Sequence, residues 1–176
     1  MSRFEQTSIW QKTLGKQLEP DIYEKERDFL RVEFERFRER TKILAAEIAR
    51  VLPEYTVHDI THIDALWDTA ELVTRDECNL TPTEAFVLGG TFLIHDLGMG
   101  LASFPNGIEE LKNNAIWKDT VTSILKRKLS RVITDEDFLE LDKETERIAT
   151  ENVLRLLHAP VSYTHLRAHE TSQDLV

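Results

Sequence analysis

Three of the chain's six histidines fall within two short phrases, His58-Asp59-Ile60-Thr61-His62 and His95-Asp96-Leu97-Gly98. Imidazole nitrogens and carboxylate oxygens are donors that a divalent metal takes up. A fold that uses both phrases together must therefore set two segments side by side across the 33-residue interval from His62 to His95. His58 and His62 are four residues apart, so on a helix they project from one face about one turn apart. His95 and Asp96 are neighbours, roughly 100° apart around a helix, so both close on one ion only at a helix end. Gly98 and Gly100 supply that end.

The rest of the pattern is helical. After residues 1–18, expected as a loose arm or a short helix around Ile9, Trp10 and Leu14, a long helix is predicted from Glu19-Pro20-Asp21. Its apolar positions Leu30, Phe34, Phe37, Leu44, Ile48 and Val51 recur at steps of three, four and seven, a stripe for a core or a partner helix, and Pro53 ends it. The charges of 33–40 are expected on a solvated face. A second helix starts near Asp59 or Thr61 with Ile63, Leu66, Trp67, Ala70 and Val73 inward. Thr81-Pro82-Thr83-Glu84 combines an N-cap, a first-turn proline and a capping box, so a third begins there with Ala85, Gly89, Phe92 and Asp96 on its inner line. Residues 97–114, rich in turn-formers, are expected as a mobile loop. Residues 115–129 repeat the helical pattern and end in Lys126-Arg127-Lys128, cations suited to a helix C-terminus. Thr134-Asp135-Glu136-Asp137 is predicted to cap a last helical region running to His158. No strand pattern emerges, and the fold class expected is an all-α bundle.

Charge and cysteine usage narrow the partners. A net charge of −10 argues against a nucleic-acid polymer or an anionic membrane as the main partner, while a small phosphate held through a metal is compatible with it. Cys78 is the only cysteine, so neither a disulfide framework nor a cysteine zinc site forms within the chain. No apolar run approaches the ~18 to 20 residues of a membrane span, and the first residues lack a signal-peptide core, which leads to the expectation of a cytoplasmic protein.

His62, followed 33 residues later by His95-Asp96 and then Leu-Gly, resembles the H…HD…D signature of the HD superfamily of metal-dependent phosphohydrolases. The wider phrases, 55–67 with 80–100, resemble HD domains at the front of larger bacterial proteins that carry effector or GHKL-type ATPase modules. The resemblance implies an HD-domain-like helical bundle over 19–159. It also implies His62, His95 and Asp96 as metal ligands, with catalysis assigned to Asp96 and His58. His58 has alternatives: it replaces His62 as first ligand, binds a second ion, or meets the substrate phosphate. Asp59 or Asp64 orients an imidazole, or else is a capping carboxylate. Arg155 and His158 resemble an Arg-x-x-His phrase of related domains and are assigned to substrate phosphate, with a solvent-facing pair as the bland alternative. The cofactor implied is a divalent ion, manganese, iron, cobalt, zinc or magnesium.

The signature closes with a later Asp. Asp119, Asp135, Asp137 and Asp142 are present, but each looks like a helix-start or polar-face residue. Residues 160–176 break the amphipathic pattern and resemble the translation of a sequencing-library transposon adaptor, so they are expected to be a non-native tail. His165 and His169 are set aside with it. On that view the final ligand lies beyond residue 159 of the natural chain, and the activity of this fragment is impaired. Two functions remain: a metal-dependent phosphohydrolase acting on a nucleotide or another phosphate ester, or a non-catalytic HD sensor regulating a C-terminal effector or ATPase module. The long N-terminal helix also offers a surface for oligomer formation.

Overall fold

Aromatic side chains near the N-terminus decide where the first helices meet. The protein is described by a computed structural model over residues 3–17, 20–53, 59–75 and 79–173, with 159–173 as backbone only. Among the described residues every regular element is helical, which bears out the all-α expectation. Backbone packing groups the chain into two units, 1–97 and 98–176.

The first unit holds a 3-10 turn (Arg3–Gln6), α1 (Ser8–Thr13), α2 (Glu24–Val51), α3 (Ile60–Thr74) and α4 (Pro82–Ile94). The segment expected as an arm or short helix is a short helix, capped by the Thr7 hydroxyl, and Phe4, Ile9, Trp10 and Leu14 lie in the core. Four aromatic rings, those of Phe4, Trp10, Phe34 and Trp67, meet there, because one short helix can bury that much apolar surface only against others. Its C-terminal carbonyls are satisfied by arginines of α2: Arg27 Nη1 donates to the Lys12 carbonyl at 3.0 Å and Arg31 Nη1 to that of Leu14 at 3.0 Å.

α2 starts at Glu24 rather than at Pro20, because the Asp21 carboxylate accepts from the Tyr23 N–H and from Arg27, holding a turn. Phe34 and Ile48 are buried as expected, whereas Leu44 is exposed and Thr41 and Ala45 take the inward places. Leu44 lies one residue, roughly 100°, off the row 34–41–45–48 and so turns to solvent. Arg38 also departs from the solvated face expected for 33–40. Its Nε and Nη2 donate to the two carboxylate oxygens of Asp64 at 2.9 and 2.5 Å, and its guanidinium lies over the Phe4 ring.

Asp59 caps α3, accepting from the N–H groups of Thr61 and His62, and Ile63 and Trp67 point inward. Val73, expected on that face, is exposed. α4 begins at Pro82 with the Thr81–Glu84 capping box formed as predicted. Trp67 and Phe34 pack onto Gly89 so closely that a Cβ there would stand 2.5 Å from Phe34 Cε2 and nearer still to Trp67 Cζ2.

In the second unit the stretch expected as a mobile loop is largely built. It contains a 3-10 turn (Leu101–Ser103) and α5 (Ile108–Lys112), with Met99, Phe104 and Leu111 buried. α6 (Ala115–Leu129) runs as predicted, with Trp117, Val121 and Leu125 inward and three cations in its last turn. The cap at Thr134 is real but serves a single 3-10 turn (Asp135–Phe138). Asp137 closes that turn through the Thr134 N–H and pairs with Arg131, so the helix does not propagate. α7 (Lys143–Gln173) starts afresh under Asp142, whose carboxylate accepts from the Thr145 N–H and hydroxyl, and packs against α6. Its backbone continues helical past His158. The expectations for the tail's side chains, Tyr163, His165, Leu166 and His169 among them, lie outside the described residues.

Two adjacent glycines test this packing. Gly89→Ala should lower stability by ~1 to 3 kcal/mol, because overpacking against two fixed rings outweighs the gain in helix propensity. Gly90→Ala places its Cβ 3.7 Å from Phe37 Cε1, an ordinary contact, and should be neutral or stabilising by up to ~1 kcal/mol. Urea unfolding of both variants measures the difference.

Candidate metal centre

The cluster is assembled by a helix start and a helix end. Asp59 fixes the first turn of α3, and His62 is the third residue of that helix. His95, helical in backbone, is the C-cap of α4, with Asp96 next to it in the following turn, and the His95 ring reaches the Asp96 carboxylate there. Phe92 of α4 packs its ring edge-on against Trp67, and this antiparallel contact sets the start of α3 beside the end of α4.

One nitrogen from each of the imidazoles of His62 and His95 and one oxygen of Asp96 all lie within 4.8 Å of one another. His95 Nε2 is 2.8 Å from Asp96 Oδ2, and His62 Nε2 is 3.5 Å from the same oxygen. The two rings are 5.8 Å apart and tilted by 37°. Asp96 is buried, with its side chain 11% exposed, while those of His62 and His95 are 40% and 33% exposed. The carboxylate therefore forms the floor of the cluster and the imidazoles its solvent-facing walls.

The tautomer of His95 follows from its partners. Its Nδ1 is 2.8 Å from the Phe92 carbonyl, which only accepts, so Nδ1 carries a proton and donates. Its Nε2 then faces a second acceptor, Asp96. Two acceptors around one imidazole call either for a second proton or for a cation between Nε2 and Oδ2. The hydrogen bond to Asp96 accordingly raises the His95 pKa, against a smaller opposing effect of burial. Ligand atoms bound to one ion at ~2 Å stand about 3 to 3.5 Å apart. The 3.5 Å from His62 Nε2 to Asp96 Oδ2 falls within that spacing and the 2.8 Å from His95 Nε2 is a direct hydrogen bond slightly shorter than it, so two imidazoles and a carboxylate fit a divalent cation once His95 shifts outward by a few tenths of an ångström. Sequence reasoning left Asp59 and Asp64 each as an orienter of an imidazole or a capping carboxylate. Asp59 takes the capping role at α3 and Asp64 holds Arg38, and the orienter of His95 is a backbone carbonyl three residues earlier, which no side-chain motif announces.

His58 lies outside the described residues. Arg155 and His158 are on α7 in the second unit, where the His158 Nδ1–H donates to the Arg155 carbonyl at 2.5 Å. Among the later aspartates, Asp137 and Asp142 are held well below the usual carboxylate range by Arg131 and Lys128 respectively and by their capping bonds. Asp119 and Asp135 are exposed.

The His95–Asp96 pair makes stability depend on pH in the metal-free protein. The folded pKa of His95 lies above its ordinary value of 6.5. Its stabilisation is therefore fully present below that ordinary value and is lost as pH rises through the folded one. Urea unfolding in chelator across that window should show this decline, and Asp96→Asn should flatten it. Metal content measured after purification in manganese should be close to one ion per chain, and should fall to the background level in His62→Ala and Asp96→Ala.

The sequence profile of the HD-CE family matches residues 52–176, a span that contains the whole cluster. No curated protein and no solved structure matches the chain. No helix among the described residues is long and apolar enough to cross a membrane. With the profile covering well over half of its length, the chain belongs to the HD-CE family, an HD-type domain.

Proposed function

We propose that this chain is a divalent-metal-dependent phosphohydrolase domain acting on a nucleotide or another phosphate ester. The observation that carries the proposal is the convergence of His62, His95 and Asp96 at the junction of α3 and α4, inside the span matched by the HD-CE family. Bound there, a divalent ion supplies a water of lowered pKa and neutralises charge on the attacked phosphorus. The chain's own residues do the rest. Asp96, on the floor of the cluster, presents one oxygen to both imidazoles, and the Phe92 carbonyl holds His95 with Nε2 directed at that oxygen. Three protein donors leave part of a coordination sphere to water and a phosphate oxygen. The partly exposed imidazoles leave the cluster open to a substrate from solvent.

His58 is proposed as a catalytic residue or a contact to the substrate phosphate, and Arg155 and His158 as groups that meet the substrate phosphate. The ion is chosen from manganese, iron, cobalt, zinc and magnesium by assay, since a mixed imidazole and carboxylate set accepts each of them.

The test is phosphate release from nucleoside triphosphates and cleavage of a chromogenic phosphodiester, each with the five ions in turn. Activity with at least one ion is expected, at the impaired level that a missing final Asp of the signature implies, and reduced a further ~100-fold or more in Asp96→Ala, since a lost ligand removes several kcal/mol of charge stabilisation. Uptake of metal without turnover of any substrate would favour a regulatory HD domain that senses its ligand. Failure of the wild-type chain to take up metal would end the hydrolase proposal.

A further inference from the structure

α2 has a second ordered face. Opposite its buried row, the side chains of Phe29, Val32, Arg36, Glu39, Ile43 and Ala46 form an outward row at steps of three and four. That alternation is the a/d seam of a coiled coil. Three members are large and apolar and yet solvent-facing: Phe29 is 65% exposed, Val32 43% and Ile43 70%. Scattered apolar residues on a surface are ordinary, but a heptad-spaced set on one face of a 28-residue helix is a contact surface.

We propose that this seam pairs, antiparallel, with the same seam of a second copy of the chain. The charges select both the occupant and its direction. With the two-fold axis midway between Arg36 and Glu39, Arg36 of each copy faces Glu39 of the other at the centre of the seam. Val32 then faces Ile43, and Phe29 faces Ala46, each layer occurring twice by symmetry. At the flanking positions Glu33 falls opposite Arg40 and Glu35 opposite Lys42. Within residues 29–46 every charged pair in that register is of opposite sign, while at the ends of α2 the same register sets Lys25 against Arg50 and Glu26 against Glu47. A parallel pairing in register would instead stack Arg36 on Arg36 and Glu39 on Glu39 at the centre of the seam and set Asp28 against Glu33, with opposite signs only at the flanking pairs Glu35–Arg40 and Lys42–Glu47. A self-complementary pattern of this kind is what an isologous interface requires, since each contact must be made twice.

The charged residues are available for it. The side chains of Arg36, Glu39 and Lys42 are 67%, 62% and 56% exposed. Their ion pairs within the chain, Glu33–Arg36 and Glu39–Lys42, are surface contacts of little energy that exchange readily for pairs across the seam. Residues 29–46 cover about 26 Å of helix, between two and three heptads, so the interface is modest and the dissociation constant is expected in the micromolar range. The inference rests on α2 alone and stands or falls independently of the metal cluster.

Sedimentation of the full chain at ~100 μM, well above that range, tests it. The expected result is a species of twice the chain mass. Arg36→Glu and Glu39→Arg, each alone, should weaken association at least ~10-fold, because each places two like-charge contacts in the seam. The double variant R36E/E39R should restore it. Ile43→Asp should give a monomer whose helical circular dichroism is unchanged, which separates lost association from lost folding. Direction is read by cross-linking in a Cys78→Ser background, where V32C/I43C should form inter-chain disulfides on oxidation and V32C alone should not. A monomer at ~100 μM, a dimer indifferent to the charge reversals, or cross-linking through V32C alone would overturn the proposal.

Discussion

The contact of Trp67 and Phe34 with the bare backbone at Gly89 is the constraint on which the metal cluster depends. A side chain at that position would push α4 away from α2 and α3, and the end of α4 carries two of the three ligand candidates. Metal ligands must be held to about half an ångström, and short polar side chains cannot take up a larger shift by rotamer changes alone. The core and the cluster are therefore one device. The Trp67 ring that packs on Gly89 also meets Phe92 edge-on, and the Phe92 carbonyl orients His95. Side-chain packing and ligand orientation thus share a single residue, one through its ring and the other through its backbone.

How much of this was legible in the sequence depended on whether the signal was local. The capping box at Thr81 to Glu84 is written in four adjacent residues and the helix over 115–129 in its own local period, and both formed as expected; at Asp59 the capping role, one of the two left open, is the one that formed. The His-Asp pair at a helix end was equally legible, because adjacency in sequence leaves one geometric solution. Misses arose where the deciding partner was distant or the competing local bond was stronger. Arg38 is buried by Asp64, 26 residues away, which a charge count over 33–40 has no means of finding. Thr134 bore a correct cap, yet the Asp137 carboxylate that completes it also holds Arg131, and the chain turned again before α7. The burial of Phe4 and Trp10 came from long-range packing of aromatic rings, for which a weak helical period gives no sign.

Electrostatics inside the first unit follows one rule: each buried ionic group has a specific partner. Arg27 meets Asp21 at 2.6 Å, and Arg38 grips Asp64 with both ends of its fork. In each pair an arginine with several fixed donors satisfies a carboxylate that burial would otherwise penalise. Asp96 is the exception in kind. Two of its partners are imidazoles, which bring positive charge only when protonated, and one of these already donates its other N–H to a carbonyl. A buried carboxylate paired with two conditional cations is balanced in part by proton or by metal, and that part shifts with pH and with metal supply. This is the physical difference between a structural ion pair and a site that exchanges its cation.

The charge-rich middle of α2 shows how one helix serves several ends at once. Between residues 33 and 40 the charged side chains are mixed in sign, and composition alone assigns them to solvent. Periodicity separates them into three fates. Phe34 belongs to the row that continues through Thr41, Ala45 and Ile48 into the core. Arg38 sits between that row and the surface, at the angle from which a long side chain reaches α3. Arg36 lies two residues, roughly 200°, from Phe34 and so stands on the far side, in line with Phe29 and Ile43. A residue's role here is fixed by its angle around the axis more than by its type. For that reason two arginines only two positions apart differ so widely in exposure, with side chains 67% and 14% accessible.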